Sequence, residues 1–440
     1  LYVSTAWSHV KAFDVRTGRL LWTFNTIPRP GEYGNDTWES ESWAVNGNVG
    51  VWTQITVDEE LGLVYLPVET PTSDYYGGHR PGSNLFAESI VCVDLRTGQR
   101  KWHFQMVHHP LWNYDMSSAA ILADLVVNGK AIKAVAVPGK QGFLFVFDRV
   151  TGQPVWPIEE RAVPQSDVPG EKTSPTQPFP TKPPAYARNV LTLPDDLIDF
   201  TPALRAQAIE QMKRYKVAPW MYNPPILGNV NGMLGAINMG NAIGGTNWPG
   251  VAYDPETHTV YAQANNVNIT STSLAPPPKG FSDIRYMTGI EGREFREVMG
   301  PGDCCAADSP RAEAQAEAAR AAAAAPAAAP APAAATPPGL FGGLTVDGLT
   351  ILKPPYGTIS AVNLDRGEIV WRVAHGDTPD NVRNHPLLKG LTIPKTGQPG
   401  TSGIGLMVTK TLVVMGDPQM TTTPEHPRGA MLRAYDKTTG

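Results

Sequence analysis

One short phrase recurs along this chain: an apolar residue, Asp, two variable positions, Thr-Gly, three variable positions and Trp. It reads Phe13-Asp14 to Thr17-Gly18 to Trp22, then Val93-Asp94 to Thr97-Gly98 to Trp102, then Phe147-Asp148 to Thr151-Gly152 to Trp156. A weaker copy runs from Val362-Asn363 through Gly367 to Trp371, and a last one, Tyr435-Asp436 to Thr439-Gly440, meets the end of the chain before its Trp. Repetition of this kind constrains a fold more than any single motif, because a repeated unit buries its apolar face only by stacking on its neighbours.

The chemistry of the phrase is local. Asp and Thr side chains cap a tight turn, and a glycine with positive φ closes it between two strands. The Trp then opens the next strand with a large flat apolar face. The residues before each turn, such as Ile90-Val91-Cys92-Val93 and Phe143-Leu144-Phe145-Val146-Phe147, read as strands. Repeated four-stranded units stacked radially make a β-propeller, so the expectation is an all-β propeller. The 42 Gly and 42 Pro suit many short strands joined by turns and long loops.

The spacing is uneven. One unit runs from about Gly47 to Gln105, the next from about Leu111 to Glu160, and a later one opens at Gly245 and closes at Trp371, giving about four units. Residues 161–239 read as an insertion with one helix, N-capped by Thr201 with Pro202 in its first turn, and with Leu204, Ala208, Ile209 and Met212 on one face. Residues 306–338 form an Ala/Pro-rich, low-complexity insertion. The whole of 1–440 reads as one propeller domain cut at both ends, since Leu1 lies within a strand pattern and Gly440 within the repeat.

A net charge of −5 leaves no basic footprint for nucleic acid. No apolar run is long enough to span a membrane, and no signal peptide is present. The three cysteines, Cys92, Cys304 and Cys305, form neither a disulfide framework nor a zinc pattern.

The residues between the turns resemble the pyrroloquinoline-quinone (PQQ) dependent dehydrogenases, most closely their membrane-glucose-dehydrogenase-like branch. The matching stretches include "YYGGHRPG", "WHFQMVHHPLWNYD", "GKQGFLFVFDRVTGQPVWPIEER" and "GGTNWPGVAYDPETHTVYAQ". The resemblance implies an eight-bladed propeller, of which this chain covers roughly half to two-thirds, with the cofactor near the central axis. It further implies a periplasmic location, calcium or another divalent cation beside PQQ, and an alcohol, polyol or sugar substrate. Electrons would pass to a membrane quinone or a cytochrome c.

By the same resemblance Trp52 matches the tryptophan on which the flat quinone stacks, the alternative being a core aromatic. Lys140 matches a cation touching the quinone oxygens, the alternative being a solvated turn lysine. Asn247 and Trp248 match a cofactor-contacting pair, or else make a structural turn. The sequence also departs from the family. Asn113 stands where the catalytic aspartate is expected; its amide can ligate calcium but cannot take a proton. Asp115, on the same face of an extended strand, or His109 is the replacement base, unless Asp115 merely caps a turn. Thr70 stands where a metal-binding asparagine is expected, with Glu69 beside it as a substitute oxygen donor, and no glutamate lies among residues 1–10 to complete the set. Cys304-Cys305 resembles an adjacent-cysteine ring of some family members but sits in a late insertion. These departures keep open a second reading, a catalytically lapsed propeller that serves as a binding scaffold of the cell envelope.

Overall fold

In the computed structural model of the 440-residue chain, residues 1–5, 8–219, 221–228, 232–240, 242–288 and 344–440 are described. Cys304, Cys305 and the Ala/Pro-rich stretch 306–338 lie outside them.

Each copy of the repeated phrase sits in its own antiparallel meander. The first sheet comprises Tyr2–Thr5, His9–Phe13 and Leu20–Asn25; the second Thr56–Asp58, Leu63–Pro67, Ser89–Asp94 and Arg100–Gln105. The third is Ile121–Val127, Lys130–Pro138 and Leu144–Asp148; the fourth Ala252–Asp254, Thr259–Asn265, Gly357–Asn363 and Glu368–Ala374; the fifth Leu406–Val408, Leu412–Gly416 and Leu432–Asp436. The repeat therefore yields five such sheets rather than about four, because the first and last copies, short as they are, each close a sheet.

The turns form as their chemistry requires. Asp14 Oδ1 accepts from the Arg16 and Thr17 N–H groups at 3.0 and 2.9 Å and from the Thr17 hydroxyl at 3.0 Å. Asp94 and Asp436 repeat this set, and Asp148 keeps its backbone part. The register slips at the same place in three sheets, between Ala12 and Phe13, Cys92 and Val93, and Ala361 and Val362. One extra residue in the facing strand is a β-bulge, and a bulge re-aims the side chain that follows it. That side chain is Trp22, Trp102 or Trp371.

The re-aimed tryptophan reaches from its own sheet to the next. Trp22 Nε1 donates to the Leu95 carbonyl in the turn of the second sheet, Trp102 Nε1 to Arg149 O in the third, and Trp371 Nε1 to Lys437 O in the fifth, each at 3.1 Å. Each acceptor directly follows the turn Asp or its equivalent. The ring also covers the turn glycine of that neighbour: a Cβ on Gly98 would come 2.6 Å from Trp22, on Gly152 2.6 Å from Trp102, and on Gly440 2.8 Å from Trp371. Trp156 covers Gly367 likewise, at 3.0 Å, and so carries the chain of contacts from the third sheet to the fourth across the insertion. Glycine is thus needed twice, for positive φ and for the space its missing side chain leaves.

The helix of the insertion spans Pro202–Met212, with Thr201 Oγ1 accepting from Leu204 N at 3.2 Å and with Leu204, Ala208 and Met212 buried. The insertion is more than a polar loop. Its Ala236–Met239 strand pairs with Ile269–Ala275, and its apolar residues share a second core with Leu349, Ile351, Leu352 and Val382. Among the described residues no helix is long and apolar enough to cross a membrane.

Candidate active site

The Asp-Thr-Gly turns lie at one end of the strands. At the other end of the second sheet, strand Leu63–Pro67 delivers Glu69 and Thr70, and Glu88 immediately precedes strand Ser89–Asp94. The third sheet reverses there through Gly139-Lys140-Gln141-Gly142, where Gly142 N bonds Gly139 O at 3.0 Å and Gly142 adopts φ 74°. Lys140 is thereby turned inward and is only 4% exposed. Residues 240–246 press on it: Gly245 N donates to Lys140 O at 2.8 Å, and a Cβ on Gly244 would lie 2.8 Å from Lys140 Cγ.

Lys140 Nζ lies 2.6 Å from both Asn113 Oδ1 and Asp115 Oδ2. Asp115 is held from two further sides, by Thr70 N at 2.9 Å and Trp52 Nε1 at 3.2 Å. Trp52 therefore presents its ring beside the ammonium, 5.8 Å from centroid to Nζ, and stays 43% exposed. On its other side Asn113 Nδ2 donates to Asp74 Oδ2 at 2.7 Å.

This corner is rich in buried acid. Burial first, and then the charge of Asp115, push the Glu69 and Glu88 carboxyls up to about 8 and raise Asp74 as well. Glu69 Oε1 accepts from Gly50 N at 2.9 Å and Glu88 Oε1 from Tyr114 N at 2.7 Å. The Thr70 hydroxyl lies beside the buried Glu88 carboxyl and helps to hold it down. Arg80, fully buried and drawn down to about 10 by that burial, donates to Asn84 Oδ1 and to the Ser73 and Pro110 carbonyls.

His109 belongs to a different group of contacts. Its Nδ1 faces Gly82 O and its Nε2 faces Glu171 Oε1, both at 2.7 Å. Both ring nitrogens thus face oxygen atoms, one of the backbone and one of a carboxyl group. Burial pushes Glu171 up, but the hydrogen bond and charge of His109 and the Gly77 N–H outweigh it and hold the carboxyl below its ordinary range.

Residues 2–291 and 304–440 match the family model described as "Glucose/ethanol/alcohol dehydrogenase, beta-propeller domain" of the PQQ type. The chain belongs to this family. It is 29% identical over 375 residues to the glycerol dehydrogenase large subunit of Gluconobacter oxydans (strain 621H), covering 82% of this chain and 45% of that protein. It is 28% identical over 388 residues to the quinoprotein glucose dehydrogenase of Escherichia coli (strain K12), covering 85% and 42%. The chain thus spans less than half the length of these relatives. The quinohemoprotein alcohol dehydrogenase of Comamonas testosteroni superposes with a TM-score of 0.53 at 19% identity, over 98% of this chain and 48% of that one, which supports the propeller fold.

In this PQQ-type propeller the structure brings together Trp52, Lys140, Asn113, Asp115, Thr70 and Glu69 from the sequence-derived set. It leaves His109 bound to Glu171 instead. Asn247 accepts at its carbonyl from Ser118 Oγ and donates its own amide to Ile243 O, and Trp248 is 54% exposed; neither side chain bonds to Lys140 or Asp115. Sequence reasoning missed Asp74, Arg80, Glu88 and Glu171. Arg80 lies within the quoted "YYGGHRPG" and Asp74 just precedes it, which is the only signal either left; Glu88 and Glu171 carry none.

A half-exposed indole beside a buried ammonium suits a flat, polyanionic aromatic ring, so these residues fit PQQ. The cation is another matter. Among the described residues no three His, Cys, Asp or Glu side chains converge as a metal site. Of the nominated oxygens, Asn113 Oδ1 accepts from Lys140 and Glu69 Oε1 from a backbone N–H, while Glu69 Oε2 and Thr70 Oγ1 are not used in either contact. The positive charge beside Asn113 and Asp115 is Lys140 Nζ.

Proposed function

We propose that the chain contributes the cofactor and base side of a PQQ-dependent dehydrogenase that oxidises the CH–OH group of an alcohol, polyol or sugar. One observation carries the reading: Lys140 Nζ sits between Asn113 and Asp115 while Trp52, bonded to the same Asp115, turns a half-exposed ring toward it. When bound, PQQ supplies a two-electron acceptor for the hydride leaving the substrate carbon. Trp52 offers the stacking face. Lys140 places positive charge where the reduced cofactor gains negative charge.

Asp115 is the group that takes the hydroxyl proton. Its carboxylate has about four lone-pair sites, and Thr70 N, Trp52 Nε1 and Lys140 Nζ use three. His109 is engaged by Gly82 O and Glu171 and does not bond to Lys140 or Asp115, and the Asn113 amide has no basicity. The family assignment supports onward transfer of the electrons to a membrane quinone or a cytochrome c, and the periplasm as the compartment.

The test is a titration of the folded protein with PQQ, followed by tryptophan fluorescence, beside Trp52→Ala and Lys140→Ala. Saturable one-to-one binding that both substitutions weaken at least tenfold is the expected result. Turnover of alcohols and sugars is then measured with an electron-accepting dye, and Asp115→Asn should retain binding while losing turnover. A folded wild-type protein that binds no PQQ would leave the scaffold reading.

A further inference from the structure

Glu171 lies in the insertion between the third and fourth sheets, 62 residues from His109 in sequence, yet it is one of the more tightly held acids in the molecule. Its Oε1 accepts from His109 Nε2 at 2.7 Å and from Lys172 N at 2.9 Å, and its Oε2 accepts from Gly77 N at 2.6 Å. The side chains of the His109–Glu171 pair are each only 2% exposed. The neighbouring insertion residue Pro169 accepts from Tyr76 Oη at 3.2 Å. The glycines of "YYGGHRPG" permit this contact. A Cβ on Gly77 would lie 2.4 Å from His109 Nε2, and one on Gly78 2.9 Å from Gly170 O.

The segment gripped in this way, residues 74–80, begins with Asp74, which accepts from Asn113 Nδ2. It ends with Arg80, which ties the Ser73 and Pro110 carbonyls together. Asn113 in turn accepts from Lys140. To these ties the insertion adds two of its own, Glu171 Oε2 on Gly77 N and Pro169 O on Tyr76 Oη. A buried ion pair is a weak source of net stability, but breaking one by removing a partner is costly, so such a pair is well suited to holding a geometry.

We infer that Glu171 is a positioning residue for the candidate site: by binding the His109 imidazole and the Gly77 N–H it holds the 74–80 segment so that Asp74 keeps Asn113 against Lys140. The inference rests on reading Lys140, Asn113 and Asp115 as the cofactor and base site. It gives the insertion a role at the active site, although among the described residues the insertion supplies no side chain that bonds to Lys140 or Asp115.

The experiment compares wild type, Glu171→Gln and Gly77→Ala by NMR of protein carrying 15N-labelled histidine and tryptophan. Trp52→Phe and His109→Gln assign the two probes. In wild type, the His109 ring nitrogens should give the signals of an imidazole hydrogen-bonded on both sides. Glu171→Gln should change that pattern and also shift the Trp52 indole N–H, which reports on Asp115. Gly77→Ala, which wedges the segment off His109 with Glu171 intact, should shift the same indole signal. A His109 signal that changes while the Trp52 signal stays put in both variants overturns the inference.

PQQ affinity measured on the same samples separates the two readings. Should wild type bind no PQQ while the Trp52 signal still moves, the functional proposal fails and the positioning role stands. Should wild type bind PQQ, both variants should weaken it at least threefold, and Glu171→Asp should restore part of the loss.

Discussion

Asn113 donates its amide N–H to the buried carboxyl of Asp74 across 2.7 Å. That contact accounts for the most visible departure from the family pattern. A carboxylate at position 113 would face another carboxylate at hydrogen-bond distance, and two such groups cannot both ionise. Asn113→Asp should therefore destabilise the protein by about 1–3 kcal/mol, and the loss should deepen as pH rises. The introduced acid would have a raised pKa in the folded state, so its penalty accumulates once pH exceeds the unfolded value. Thermal melts at pH 5 and pH 8 check this; an equal loss at both would show that charge is not the cause.

Glu69 and Glu88, both pushed up to about 8, make a second pH prediction. Between their unfolded values near 4.5 and about 8 the folded state binds more protons than the unfolded state, so stability falls as pH rises through that window. Each group contributes at most about 1.4 kcal/mol per pH unit. Glu88→Gln should flatten the melting temperature against pH, measured by calorimetry from pH 5 to 8.5. An unchanged slope would mean that Glu88 stays ionised.

The docking of each tryptophan on the next sheet can be tested with two glycines of the same φ, 69°. Gly18 has nothing within 4 Å of its missing Cβ, whereas Gly98 has Trp22 at 2.6 Å. Gly18→Ala should cost only the left-handed penalty of about 1–2 kcal/mol. Gly98→Ala should cost a further 1–3 kcal/mol or so for displacing the indole. Denaturant melts of the two variants compare them directly, and equal losses would refute the docking.

Removing Asp115 removes the partner of a buried ammonium. Asp115→Asn should cost about 3–5 kcal/mol of stability. If Asp115 is the base, it should also lower turnover by about 10²–10⁴-fold at unchanged substrate KM. His109→Asn should not reproduce the second effect at saturating PQQ, and steady-state kinetics of the two variants would tell them apart.

Much of the fold was legible because its instructions are short-range. Asp14, Thr17 and Gly18 close their turn within a few residues, and Asp94, Asp148 and Asp436 repeat the instruction, so a repeated turn and strand could be read without any long-range contact. Thr201 capping the helix at Leu204 is equally local. The site was legible only in part. Trp52 and Lys140 could be nominated from the resemblance, and Asp115 from its place two residues after Asn113. Asp74, Glu88 and Glu171 are ordinary acids in ordinary stretches, and nothing near them in sequence marks them as buried.

The sequence by itself determined the strands, the turns, the glycines that need positive φ and the capped helix, since each depends on neighbours a few residues away. The tertiary structure alone decided which sheet each tryptophan docks on, that Lys140 faces Asp115 across 25 residues, and that Asn113 faces Asp74 across 39. It also decided that His109 meets Glu171, 62 residues on. The physical reason is burial: a side chain's protonation state and partners depend on what excludes water from it, and here that is chain distant in sequence.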